Sequence, residues 1–129
     1  MEANPHHDPV TILVVDDDPI IQKIIAHTLD RSGFRSTFAS NGIEALESIQ
    51  KDRPDLIVSD IMMPEMDGYT LLYFLKSDPN TANIPIVFLS ARDSGDDIID
   101  GIDMGAFDYL LKPIKPDELI ACIKSKLSG

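Results

Sequence analysis

The chain carries a single cysteine, Cys122, and only 11 basic residues against 22 acidic ones. One cysteine excludes an internal disulfide and offers no metal or redox motif. Its place in an apolar helical pattern reads as a small buried hydrophobe rather than a reactive thiol. The basic deficit leaves a net charge of −11. That charge argues against direct binding of nucleic acid or an anionic membrane, because both need a positive surface. No apolar run approaches the roughly 18 residues of a membrane span, and no signal-peptide pattern is present, so a cytoplasmic location is expected. Repeats and low-complexity tracts are missing as well.

What is present is ordinary for a soluble globule: 43% apolar and 26% charged residues in a chain of 129. That length suits one domain, which on folding buries roughly two thirds of the surface of the unfolded chain. Residues 1–9 are polar and broken by Pro5 and Pro9, which predicts a flexible N-terminal arm ahead of one domain at 10–129. His6 and His7 in that arm read as incidental.

From residue 10 onward two periods alternate. Val10 to Val15 is a continuous β-branched and leucine run, the mark of a strand buried on both faces. Asp18 before Pro19 can cap a helix whose apolar residues Ile20, Ile21, Ile24, Ile25 and Leu29 follow helical spacing. His27 on that helix reads as structural. Phe34 to Ala39 predicts a more exposed second strand, and Asn41 with Glu44 resembles a capping pair for a helix carrying Ile43, Leu46 and Ile49. A strand at 55–60 precedes a helix from Asp67 to Lys76 with Leu71, Leu72, Phe74 and Leu75. Ile84 to Leu89 is a fourth strand, residues 94–104 a short acidic helix, and Tyr109 to Leu111 a fifth strand. Pro116 opens a last helix with Leu119, Ile120, Ile123 and Leu127 as its stripe. Five βα units in strict alternation predict an α/β fold, a parallel sheet with helices on both faces.

Ligands and chemistry in such sheets sit beyond the carboxyl ends of the strands. Four strand ends there offer Asp16 and Asp17, Asp60, Ser90 and Lys112. Each alone reads as a cap, a turn hydroxyl or a surface charge; together at one pole they point to a site. Three close carboxylates repel and hold protons unless a cation neutralises them. Oxygen-only donors with room for water describe Mg²⁺ better than zinc. A carboxylate beside Mg²⁺ and a lysine can also attack phosphorus, with the small hydroxyl of Ser90 donating to the transferred group.

The motifs Ile-Leu-Val-Val-Asp-Asp-Asp-Pro at 12–19, Asp-Ile-Met-Met-Pro-Glu-Met-Asp-Gly at 60–68, Leu-Ser-Ala at 89–91 and Gly-Ala-Phe-Asp-Tyr-Leu-Leu-Lys-Pro at 105–113 occur in order, with Ser90 and Lys112 at matching distances from Asp60. In these the chain resembles the receiver domains of two-component response regulators, of the chemotaxis-regulator type, from Thr11 to Leu127. The resemblance implies a flavodoxin-like doubly wound fold with strand order 2-1-3-4-5. It implies that Asp60 accepts a phosphoryl group from a sensor histidine kinase or a histidine phosphotransfer protein. It further implies Mg²⁺, with Mn²⁺ or Ca²⁺ as substitutes, held by Asp16 through water and by Asp17, Asp60 and the Met62 backbone carbonyl directly. Ser90 and Ala91 would contact the phosphate, Lys112 would pair with it before a cis bond to Pro113, and the Tyr109 rotamer would follow Ser90. The face made by the helix at 94–104, the fifth strand and the last helix would then repack for a partner or a phosphorylation-dependent homodimer. Phe107 and Cys122 stand where DNA-binding members of the family often carry dimer salt bridges, which weakens the expectation of that dimer mode.

An aspartate-nucleophile phosphohydrolase typically carries a second acid two residues after the nucleophile, and here that position is Met62. A phosphorylation-independent interaction module would have no need of the intact set Asp17, Asp60, Ser90 and Lys112.

Overall fold

The computed structural model describes residues 9–90 and 105–128. The expected arm, apart from its last residue, and the expected helix at 94–104 lie outside the described residues. Five strands, β1 (Thr11–Val15), β2 (Arg35–Ala39), β3 (Leu56–Asp60), β4 (Ile86–Ser90) and β5 (Asp108–Leu111), alternate with α1 (Pro19–Arg31), α2 (Gly42–Lys51) and α3 (Gly68–Ser77), and α4 (Pro116–Ser128) follows β5. All strand pairs are parallel, in the order β2-β1-β3-β4-β5. This is the flavodoxin-like order, with the direction of winding reversing at β1 and β3.

The alternation of side chains along the strands divides the core in two. Leu13, Val15, Ile57, Ile86 and Phe88 face α2 and α3, meeting Ala45, Ile49, Leu71, Leu72 and Leu75. Ile12, Val14, Leu56, Val58, Val87 and Leu89 face α1 and α4, meeting Ile25, Leu29, Leu119, Cys122 and Ile123. The three central strands are therefore apolar on both faces, whereas edge strands β2 and β5 are partly exposed. Each fully buried Leu, Ile or Phe contributes on the order of 1.5–3 kcal/mol.

Helix starts follow the capping chemistry. Asp18 accepts from the Ile20 amide, Asn41 from Glu44, and Asp67 from Thr70. Glu44 returns a bond, accepting from the Ser40 amide at 2.9 Å. Such caps are worth about 1 kcal/mol each.

Not every apolar residue at helical spacing is buried. Ile20 and Ile24 are exposed while Ile21 and Ile25 pack inward, and Ile43, Phe74 and Leu127 are also open to solvent. Adjacent residues on a helix lie about 100° apart, so a sheet takes one of each Ile pair and leaves the other out. Leu127 falls in the last turn of a helix spanning about 20 Å, longer than a five-residue strand at about 17 Å.

Candidate functional site

The carboxyl ends of β1, β3, β4 and β5 share one edge because all four strands run parallel in near-level register: Val15 pairs with Ser59, Asp60 with Leu89, and Ser90 with Leu111. Asp16 follows the last residue of β1, Asp60 closes β3, Ser90 closes β4, and Lys112 follows β5. Carboxylate oxygens of Asp16, Asp17 and Asp60 all lie within 4.8 Å of one another. Lys112 Nζ stands 3.4 Å from Asp60 Oδ2 and 3.7 Å from Asp16 Oδ2. The Lys112 amide donates to the Ser90 carbonyl at 2.8 Å, which fixes the start of the β5–α4 loop on β4. The Lys112–Pro113 peptide is cis.

Burial differs sharply within the cluster. Asp17 is exposed and Asp60 half-buried, but Asp16 is only 1% exposed. Burial pushes the Asp16 carboxyl above the ordinary carboxylate range, against the bond its Oδ1 accepts from the Asp18 amide; the Asp60 charge pushes it up further. Asp16 Oδ2 is buried and has no hydrogen-bond partner among the described residues. At 3.7 Å the Lys112 ammonium is an ion-pair neighbour outside hydrogen-bond reach. A hard divalent cation answers this donor set, which is all oxygen, over-negative, and includes a buried carboxylate oxygen lacking a donor.

Of the other residues singled out from sequence, Ser90 is buried at the end of β4 and Tyr109 is buried on β5. The Met62 side chain is 69% exposed. Ala91 lies outside the described residues. Three contributors escape the sequence reading. Gln22 Nε2 donates to the Asp16 carbonyl at 2.5 Å and reaches the Ala39 carbonyl at 3.4 Å, tying the acidic loop to β2. Gly68 lies so close to β3 that a Cβ there would sit 2.6 Å from the Asp60 carbonyl oxygen. Tyr69 bonds through its hydroxyl to Tyr109. Gln22 and Tyr69 carry no spacing signal, each sitting in an apolar helical pattern. Gly68 ends the motif at 60–68, but that pattern does not show how closely α3 approaches β3 there.

The family model "Response regulator receiver domain" matches residues 12–124. Response regulator Rre1 of Synechocystis is 39% identical over 94% of this chain and 53% of its own length. The chain thus spans about half the length of the curated relatives it matches. The receiver domain of Francisella response regulator 1452 superposes with a TM-score of 0.83 at 40% identity, covering 95% of this chain and all of that one. The receiver domain of the Pseudomonas aeruginosa sensor histidine kinase PA1611, a structure with a magnesium ion coordinated in its active-site cleft, superposes with a TM-score of 0.86 at 31% identity, with the same coverage. A sheet in the 2-1-3-4-5 order, an acidic pole facing a lysine, and relatives matched along nearly the whole chain lead to one conclusion: the chain belongs to the response regulator receiver domains of two-component signalling.

Proposed function

We propose that this receiver domain accepts a phosphoryl group on Asp60, in the presence of Mg²⁺ held by Asp16, Asp17, Asp60 and the Met62 backbone carbonyl. The observation that carries this reading is the Asp60 carboxylate at a strand end, 3.4 Å from Lys112 Nζ and grouped with two further carboxylates. The donor is the phosphohistidine of a sensor histidine kinase or a histidine phosphotransfer protein. An Asp60 carboxylate oxygen attacks the phosphorus; the new O–P bond forms as the N–P bond breaks, and the imidazole leaves and takes up a proton. When bound, Mg²⁺ would supply positive charge that offsets the charge on the phosphoryl oxygens, and Mn²⁺ or Ca²⁺ would substitute for it.

The protein's own groups do the rest. Lys112 pairs with Asp60 in the resting chain and is within reach of a phosphoryl oxygen placed there, so its charge stays matched through the transfer. Ser90, at the neighbouring strand end, donates to the same group. Drawn onto that group, Ser90 leaves room for the Tyr109 ring, which is already turned inward in this structure, and so favours that arrangement of the β5 and α4 surface, a two-state element biased by a local charge change.

Intact mass after treatment with acetyl phosphate and Mg²⁺ tests this. The chain is expected to gain one phosphoryl group, about 80 Da by the chemistry of the transfer, and Asp60→Asn none. No gain in the parent chain, together with no response to beryllofluoride, overturns the reading in favour of a phosphorylation-independent module. The phosphohydrolase alternative has no support at Met62, whose exposed side chain is not an acid.

A further inference from the structure

Tyr109 is 9% exposed, and its ring packs edge-on against Phe88 with centroids 5.5 Å apart. An inward tyrosine brings a hydroxyl with it, and burying that group is costly unless it finds a partner. The partner comes from the other layer. The Tyr69 hydroxyl, on the first turn of α3, shares a 2.5 Å hydrogen bond with the Tyr109 hydroxyl. The Tyr69 ring is also edge-on to Phe88, at 5.4 Å. Phe88 thus sits between two tyrosines whose tips meet beyond it.

Tyr69 is itself held close to the acceptor. It follows Gly68, whose amide donates to the Ile61 carbonyl at 2.8 Å and whose Cα has the Asp60 carbonyl where a side chain would start. The contacts run without a gap from the Asp60 backbone through Gly68 and Tyr69 to the Tyr109 hydroxyl. This link reaches Tyr109 by way of α3, alongside the one through Ser90.

We propose that Tyr69 is a positioning residue for the receiver switch, its hydroxyl selecting the buried rotamer of Tyr109 and so lowering the cost of the phosphorylated arrangement. The proposal rests on the reading above, in which Tyr109 is the aromatic that follows the phosphoryl group. By reciprocity, whatever favours the inward ring binds more tightly when Tyr69 is present. One ordinary buried hydrogen bond sets the scale at about five-fold.

The chain has three tyrosines, Tyr69, Tyr73 and Tyr109, so carbon-13-labelled tyrosine rings give a spectrum that single Phe variants assign completely. Tyr73, 63% exposed, serves as the solvent reference. In the full chain without phosphoryl mimic, Tyr69→Phe is expected to move the Tyr109 resonance toward the Tyr73 position. Beryllofluoride with Mg²⁺ is expected to return it, at a midpoint raised about five-fold. Tyr69→Phe keeps the ring and its contact with Phe88, so a merely structural role predicts no such change. The cycle is completed in Tyr109→Phe, where adding Tyr69→Phe should leave the beryllofluoride midpoint, read by a Mg²⁺-dependent change in melting temperature, where it was. A parent chain that responds to beryllofluoride while Tyr69→Phe matches it in both resonance and midpoint overturns this proposal alone. Equal effects of Tyr69→Phe with and without the Tyr109 hydroxyl also overturn it. A parent chain that ignores beryllofluoride overturns the phosphorylation reading and this proposal with it.

Discussion

Cys122 sits on the α4 face that packs against the sheet, 8% exposed, and its Sγ lies 3.6 Å from Asp108 Oδ2. Burial, and then the Asp108 charge, pushes its thiol from 9.0 up to about 12. The folded chain therefore keeps its proton where the unfolded chain has begun to lose it. The stability this provides is complete below pH 9 and declines as the pH rises from there toward 12. At pH 9 the unfolded thiol is half ionised while the folded one stays almost wholly protonated, so ionisation alone makes the folded thiol far less nucleophilic. Iodoacetamide should label Cys122 promptly in urea and hardly at all in the native chain, with Asp108→Asn speeding the native reaction. Prompt native labelling at parental rates would show the thiol to be open. The burial of Cys122 was legible in the helical pattern; its partner Asp108, fourteen residues earlier, was not. The same holds at the site. Strand-end positions identify Asp16, Asp17, Asp60, Ser90 and Lys112, because strand ends of a parallel sheet converge. Which of the three acids is buried, that Gln22 ties Asp16 to β2, and that Tyr69 meets Tyr109 depend on packing across layers that no local pattern encodes.

The turn between β3 and α3 is where one element sets the geometry of another. Pro64 and Gly68 lie in the motif at 60–68, and the turn they belong to has two features that motif does not reveal. Glu65 has φ 68°, and the Met66 amide donates to the Pro64 carbonyl at 2.7 Å, a three-residue turn of the strained hand around a residue type that seldom adopts it. Gly68 then brings α3 against β3 so closely that a methyl group would meet the Asp60 carbonyl at 2.6 Å and Phe88 Cε1 at 2.8 Å. The first of these is backbone and cannot swing aside. Gly68→Ala is expected to cost about 1–3 kcal/mol, on the scale of overpacked cores. It should also lower the yield of phosphoryl-Asp60, since relief comes by shifting α3 away from the proposed acceptor. Urea midpoints and intact mass check the two effects together. An unchanged midpoint would mean that α3 has slack the contact distances do not suggest. The paired isoleucines of α1 teach the converse lesson at this scale. Helical spacing marks both members of each pair, and only the sheet decides that Ile21 and Ile25 go in while Ile20 and Ile24 stay out.

At the scale of the whole molecule, strict alternation of strand and helix was enough to predict a parallel sheet covered on both sides. The 2-1-3-4-5 order came from family likeness, because local patterns do not say which strands neighbour each other. The charge distribution adds a property that belongs to no single element. A net charge of −11 repels itself over the entire surface, while three carboxylates within 4.8 Å concentrate that repulsion at one pole. The two should separate under salt. Surface repulsion is screened gradually as the Debye length falls from about 10 Å at 0.1 M to about 3 Å at 1 M, so KCl should raise the metal-free melting temperature without a plateau. The proposed Mg²⁺ binding at the pole would stabilise by mass action, about 2.7 kcal/mol at a hundredfold excess over its dissociation constant, and saturate. In 1 M KCl, millimolar Mg²⁺ should therefore still add a saturable step. Asp16→Asn should keep the KCl slope, shrink the Mg²⁺ step, and melt higher than the parent in chelator, because it removes the buried carboxylate that only a cation satisfies. A Mg²⁺ step of parental size in Asp16→Asn would take Asp16 out of the cation site. A parent chain with no step beyond that of equal ionic strength would mean the pole's repulsion is relieved by Lys112 alone.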